Sequence, residues 1–242
     1  MAVKQRPAGG ANAPKNNPED DKIYESPEAL RGGLESFTER NAKPLLIAGV
    51  IIALAVAGFF LYNFWQENQA AQAQEEIFQA QFYYENDSLN LALNGDGNYP
   101  GFLEIIDDYG NTEAANLAHF YAGAIYLQQG NFQQALDYLK DFSSDDILVQ
   151  ARAYALQGDA YMELEQYGNA AEAYEKAANH ERNKSFSPQY LAQAAMAHEL
   201  ANNTEAALGL YTEIVDEFYG SAEYENARKQ QARLEAMTAS AE

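Results

Sequence analysis

Histidine occurs three times in this chain, at His119, His180 and His198. A metal site or an acid–base relay needs such side chains to converge from one loop or from adjacent turns of one helix. These three fall on different helices or in a connection and share no motif, so no such chemistry is expected of them; His198 is expected to pack as a partly buried ring. Asn94, Asp96 and Asn98 alternate as the first ligands of a calcium loop do. The loop's sixth position, however, is Tyr99 where Gly is needed, and its twelfth is Ile105 where Glu is needed, so a solvated turn is the expectation. Asn86, Asn183 and Asn202 each open an Asn-x-Ser/Thr sequon, a short pattern that arises readily in a chain rich in Asn. No set of nucleophile, base and oxyanion donor is in view, and the sequence reads as non-enzymatic, with no cofactor and no metal.

Residues suited to association are better represented. Gly49, Ala53 and Ala57 make a small-residue stripe at four-residue spacing, which allows another apolar helix to approach closely, although Gly and Ala are common in such helices anyway. A second set belongs to the first helices of the repeated pairs described below: Phe120, Ala124, Leu127 and Gln128, then Arg152, Ala155, Asp159 and Met162, then Gln189, Ala192, Met196 and Glu199. By register these line the concave face of a stack. With Arg152 the one basic member, they suit an extended or helical polypeptide rather than a terminal carboxylate. Part of the set has internal packing as its alternative use.

The element that positions everything else is Leu45 to Phe64, twenty residues without a charged side chain. A helix rising about 1.5 Å per residue covers roughly 30 Å in that length, the hydrocarbon thickness of a bilayer. Arg31, Arg40 and Lys43 precede it, whereas no Lys or Arg follows until Lys140, so the N-terminal side is expected in the cytoplasm and the rest outside. Tyr62 and Trp65 suit the outer interface. Ala71-Gln72-Ala73 has the form of a signal cleavage site, but the apolar run and the leader before it are both longer than in a signal peptide. The chain therefore divides into a leader at 1–43, a span at 44–65 and an outer domain at 66–242. Residues 1–25 are poor in large apolar groups and are expected to be disordered. Ser26-Pro27 then has the form of a helix start, with Leu30, Leu34 and Phe37 on one face; Gly32-Gly33 weakens it, leaving a surface helix or a mobile linker.

Charge excludes one class of partner. Seven basic and seven acidic side chains fall in 1–43, so the other eight basic and 29 acidic ones place the whole net charge of −21 outside the leader. Such a domain repels nucleic acid and anionic headgroups, because binding phosphate needs Lys and Arg to replace counterions. The absence of cysteine rules out disulfides and thiolate sites.

Beyond the span, Gln66 to about Tyr84 keeps helical spacing through Ile77, Phe78, Gln81, Phe82 and Tyr84, with a stop expected near Asn94 to Asn98. Pro100 is expected to open a helix to Tyr109. Then the sequence repeats itself: Gly123 to Gly158, Tyr126 to Tyr161 and Ala135 to Ala170 are all 35 residues apart, and Ala207 follows Ala170 by 37. This is the pattern of the tetratricopeptide repeat, a pair of antiparallel helices. Helices are expected at Glu113–Gln129, Phe132–Phe142, Asp146–Leu164, Tyr167–Asn179, Pro188–Ala201 and Glu205–Phe218, closed by Ser221–Met237 with a polar outer face. The fold class is all-α: one N-terminal transmembrane helix followed by a tetratricopeptide-repeat α-solenoid.

In this layout, and in segments such as PGFLEIIDDYGNTEAANLAHFYAGAIYLQQGNFQQAL and NKSFSPQYLAQAAMAHELANN, the chain resembles the YfgM-like proteins, ancillary subunits of the bacterial Sec translocon. The resemblance covers about four fifths of the chain and none of residues 1–25. It implies a single-pass inner-membrane protein with a periplasmic repeat domain. Its implied partners are Sec translocon channel subunits, a PpiD-like membrane-anchored chaperone, and secretory or envelope polypeptides. The alternative is a general envelope scaffold that assembles another periplasmic or outer-membrane biogenesis complex.

Overall fold

The computed structural model describes residues 40–240. The expectations placed on residues 1–25 and on a helix from Ser26 lie outside the described residues. The chain divides into two units between Asn63 and Phe64.

Helix α1 runs from Ala42 to Glu85, so the helical spacing seen beyond the span is realised. In the first unit its large apolar side chains, Leu46, Ile52, Leu54 and Leu61 among them, face outward on all sides. Burying apolar surface is worth roughly 25 cal/mol per Å², so a helix apolar all round calls for an apolar surrounding. It is the one described helix long and apolar enough to cross a membrane.

The second unit is helical throughout its described residues. After α1 come α2 (Leu89–Asn94), α3 (Phe102–Tyr109), α4 (Glu113–Gln128), α5 (Phe132–Asp141), α6 (Ile147–Glu163), α7 (Tyr167–His180), α8 (Ser187–Leu200), α9 (Thr204–Glu217) and α10 (Tyr224–Ala239). From α3 onward each helix packs on the next in the chain. The boundaries follow local chemistry: Thr112 caps α4 by accepting from Ala115 N at 3.2 Å, and Asp146 caps α6 by accepting from Leu148 and Val149 N.

One joint recurs. The pairs α4/α5, α6/α7 and α8/α9 turn at Gly130, Glu165 and Asn202, all with positive φ. At each, the next residue's N–H donates to the carbonyl five residues back: Asn131 to Tyr126 at 2.8 Å, Gln166 to Tyr161 at 2.9 Å and Asn203 to His198 at 2.8 Å. This six-to-one bond closes a helix end on a left-handed residue. The same joint stands between α1 and α2, where Asp87 has φ 57° and Ser88 N donates to Tyr83 O at 2.8 Å. The first stop after the span is thus at Glu85 rather than near Asn94, and α1 with α2 forms an additional pair at the head of the series.

Packing explains the repeated residue types. A Cβ on Gly158 would stand 2.6 Å from the Tyr174 ring, and one on Gly123 would stand 2.5 Å from Leu139 Cγ, so only glycine lets these first helices approach their partners. Ala135, Ala170 and Ala207, on the second helices, are fully buried at 0% exposure. Two cores result. One spans α1 to α5 with Leu156 and Ala160 of α6; the other spans α6 to α10. Helix α3 inserts between the first two pairs, and its Phe102 stacks on Tyr121 at 4.9 Å. Ala227 and Leu234 of α10 are buried, whereas Glu225, Arg228, Lys229 and Glu235 face solvent.

Candidate functional site

A cleft of about 710 Å³ in the second unit opens where α4 begins and where the chain passes from α5 to α6. Glu113, Asn116 and Leu117 line it from α4, Phe142 to Asp146 from the connection, Val149, Gln150 and Tyr154 from α6, His180 from α7, and Gln74 from α1.

Its polar wall is held by three local devices. The Asn116 amide donates to Ser143 O at 2.7 Å and accepts from Ser143 N at 3.1 Å, which fixes the connection to α4. Buried Gln150 accepts from Ser144 N at 2.7 Å. Asp146 is spent on capping α6, and its own N–H donates to Ser144 Oγ at 3.0 Å. A connection so tied presents the same backbone to every ligand. The Glu113 and Asp145 carboxylates, by contrast, have no ion-pair partner among the described residues. The apolar wall is Leu117, Phe142, Val149 and the Tyr154 ring, which meets His180 edge-on at 5.8 Å. Ile147 and Leu148, next in the chain after Asp146, are 43% and 53% exposed. Apolar walls with unpaired carboxylates at the lip suit a polypeptide that carries a Lys or Arg beside apolar side chains. Among the described residues no group of three His, Asp or Glu is placed to hold a metal ion.

The residues that the sequence assigned to a concave groove lie elsewhere. Ala124 and Ala155 are buried in the two cores, Leu127 packs against the first core and Met162 against the second. Phe120 packs on Phe142 at 5.3 Å, the one point at which the assigned set touches the cleft lining. Asp159 accepts from the Tyr174 hydroxyl at 2.7 Å, and Glu199 accepts from the Tyr211 hydroxyl at 3.0 Å while also pairing with Arg233. Burial first, and then these carboxylates, push both phenols well above their ordinary value of 10.0, so each tyrosine stays protonated and ties its second helix to the first. Arg152, Gln189 and Met196 are exposed, and Ala192 is half-buried. Gly49, Ala53 and Ala57 are exposed in the first unit, and nothing lies within 4 Å of where a Gly49 Cβ would be.

The other sequence candidates resolve into local structure. Asp96 accepts from Asn98 N, Tyr99 N and the Tyr83 hydroxyl, each at 2.8 Å. Those donors, the Tyr99 N–H foremost, hold its carboxyl below the usual range and make the segment a turn. Asn183 accepts from Ser185 and Phe186 N in a turn of its own. His198 is half-buried and meets Glu175 at 2.7 Å. His119 lies against Tyr138, with Nδ1 enclosed and unpartnered, and burial lowers its pKa.

Sequence reasoning missed the cleft and the first pair. The pair had a signal: Ala80, Tyr83 and Ala92 precede Gly123, Tyr126 and Ala135 by 43 residues, the usual period lengthened by α3. The cleft had none, because it is made by a connection whose path depends on tertiary hydrogen bonds.

No protein-family model matches the chain, and no curated protein matches it either.

Proposed function

We propose that this chain is a single-pass protein of the bacterial inner membrane, with its N-terminus cytoplasmic and its helical unit periplasmic. In this reading it is a non-enzymatic accessory subunit of the Sec translocon. The four pairs are tetratricopeptide repeats, stacked as an α-solenoid. The observation that carries the reading is α1: one helix supplies an apolar stretch able to cross a membrane and, after Phe64, the first helix of the repeated series. The cleft would receive the emerging chain, its unpaired Glu113 and Asp145 favouring Lys- or Arg-bearing apolar segments. A PpiD-like anchored chaperone is the expected companion, and Gly49, Ala53 and Ala57 are the face expected to pack on a neighbouring span. The flanking Arg40 and Lys43, with no cation from 44 to 139, support the orientation.

The test is affinity purification of the C-terminally tagged full chain from mild detergent, quantified by mass spectrometry beside a variant with an unrelated span in place of Leu45–Phe64. Enrichment of channel subunits and a PpiD-like protein over the span variant is the expected result. Their absence, with another envelope assembly recovered equally from both samples, overturns the translocon reading in favour of a scaffold whose span is a passive tether.

A further inference from the structure

The head of the helix series is unfinished. In α1 the residues Ala71, Glu75, Phe78 and Phe82 follow one another at steps of 4, 3 and 4, which places them on one face of the helix. Aligned on the recurring joint, Glu75, Phe78 and Phe82 stand where α4 has Ala118, Tyr121 and Ile125 and where α6 has Ala153, Leu156 and Ala160. Those positions are covered: Ala118, Ile125, Ala153 and Ala160 are at 0% exposure, and Leu156 is at 6%. Leu156 and Ala160 moreover join the core of the preceding pairs, so this is the face by which a pair stacks on the one before it. In α1, Phe78 is 69% exposed and Phe82 is 50% exposed.

Stacked repeats ordinarily end in a polar face, and α10 provides one at the far end. At the near end two phenylalanines stand open at a stacking position, one turn apart, with Glu75 beside them. We propose that this face docks an amphipathic helix from a different protein, one whose apolar stripe is flanked by Lys or Arg, and that this helix takes the place that a preceding repeat occupies elsewhere in the series. Charge selects the occupant. Residues 44–139 contain no Lys or Arg, and Glu67, Glu75 and Glu85 lie along the exposed part of α1. Two copies anchored alike would set α1 beside α1 in parallel, with each of these carboxylates against its twin, so a second copy is disfavoured. Anionic headgroups are repelled by the same charges. Only that argument against a second copy rests on the anchoring proposed above, and the experiment below does not involve the translocon.

The probe is a pair of synthetic helices with the same leucine stripe, one flanked by Lys and one by Glu, and a Lys peptide of equal charge with the stripe scrambled. Each is titrated by fluorescence anisotropy onto the full chain in zwitterionic nanodiscs. The Lys-flanked helix is expected to bind, and Phe78→Ser with Phe82→Ser to weaken it by at least about tenfold, as loss of aromatic anchors does. Glu75→Lys is expected to shift preference toward the Glu-flanked helix. Because these side chains are exposed, far-UV circular dichroism should be unchanged in every variant. Equal binding of the scrambled peptide, or insensitivity to the Phe78 and Phe82 substitutions, overturns the proposal. So does loss of binding on Leu117→Ser alone, which would place the helix in the cleft, or Phe78-dependent self-association in sedimentation, which would make a second copy the occupant.

Discussion

The two cores of the helical unit are built by different means. In the first, rings meet rings: Phe102 lies on Tyr121, Tyr84 meets Tyr121 at 5.0 Å, Phe120 meets Phe142, and Tyr126 stacks on Tyr138 at 5.3 Å. No ion pair between described residues lies there. The second core buries Tyr174, Tyr190, Tyr211 and Phe218 among its alanines with no two described rings stacked face to face, and every described ion pair lies around it, joining Arg182 to Glu213 and Glu217, Glu175 to His198, Glu225 to Arg228, and Glu199 to Arg233. In the later part Arg182, Arg228 and Arg233 pair with carboxylates, whereas Lys140, the one Lys or Arg between residues 44 and 151, stands over the Tyr161 ring and leaves Glu113, Asp145 and Glu75 unpaired. Cohesion by rings leaves charge available for partners. The cleft and the open face of α1 both draw on that earlier region, and the later pairs act as its brace.

The largest effect should come from breaking the ring-built core. Phe102→Ala removes a fully buried aromatic side chain and is expected to cost about 3–5 kcal/mol, read from thermal unfolding of the full chain in detergent micelles. A loss below about 1 kcal/mol would mean that α3 is peripheral to that core.

Next, Gly158→Ala should destabilise by about 1–3 kcal/mol by forcing a Cβ into the Tyr174 ring, although alanine is the better helix former by roughly 1 kcal/mol. A stabilised variant would show that the second core is loose enough to absorb a methyl group.

The ion pairs of the second core should matter less. Arg182 is 38% exposed, so Arg182→Met is expected to cost about 0.5–1 kcal/mol at low salt and less in 1 M salt, measured by the same unfolding. An equal loss at both salt concentrations would assign the effect to the Arg182 guanidinium over the Phe218 ring instead.

The smallest effect is a pH dependence placed in the first core. Burial depresses the His119 pKa below its unfolded value of 6.5, with the Asp141 charge opposing. Its contribution is therefore fully present above pH 6.5 and is lost as pH falls from there through the lower, folded pKa. His119→Phe should flatten the loss of stability between neutral and mildly acidic pH relative to the unsubstituted chain. An unchanged pH profile would mean that the ring takes up its proton without leaving Tyr138.

How much of this was legible in the sequence follows from the range of the interactions involved. The long apolar helix, the three 35-to-37-residue pairs and the closing helix were readable, because apolar length, Gly and Ala at close crossings, and tyrosine spacing are local signals. The break of α1 at Asp87 was not, because a non-glycine residue in the left-handed region carries no mark of its own, and the nearby Asn94–Asn98 turn is the louder signal. The groove assignment took one register of the first helices and left open which of its members pack internally. The structure buries Ala124 and Ala155 and ties Asp159 and Glu199 to tyrosines of the partner helices, contacts that no single-helix pattern displays.

The division of labour between the two regions is open to one direct measurement. A photo-crosslinking amino acid is placed in the full chain, in bacterial membranes engaged in export, at Leu148 or Phe78 in the earlier region or at Tyr219, which is 81% exposed, in the later one. The account predicts adducts with translocon subunits, a PpiD-like protein or chains in transit from Leu148 and Phe78, and none from Tyr219. Equal adducts from Tyr219, or adducts from Tyr219 alone, would contradict it.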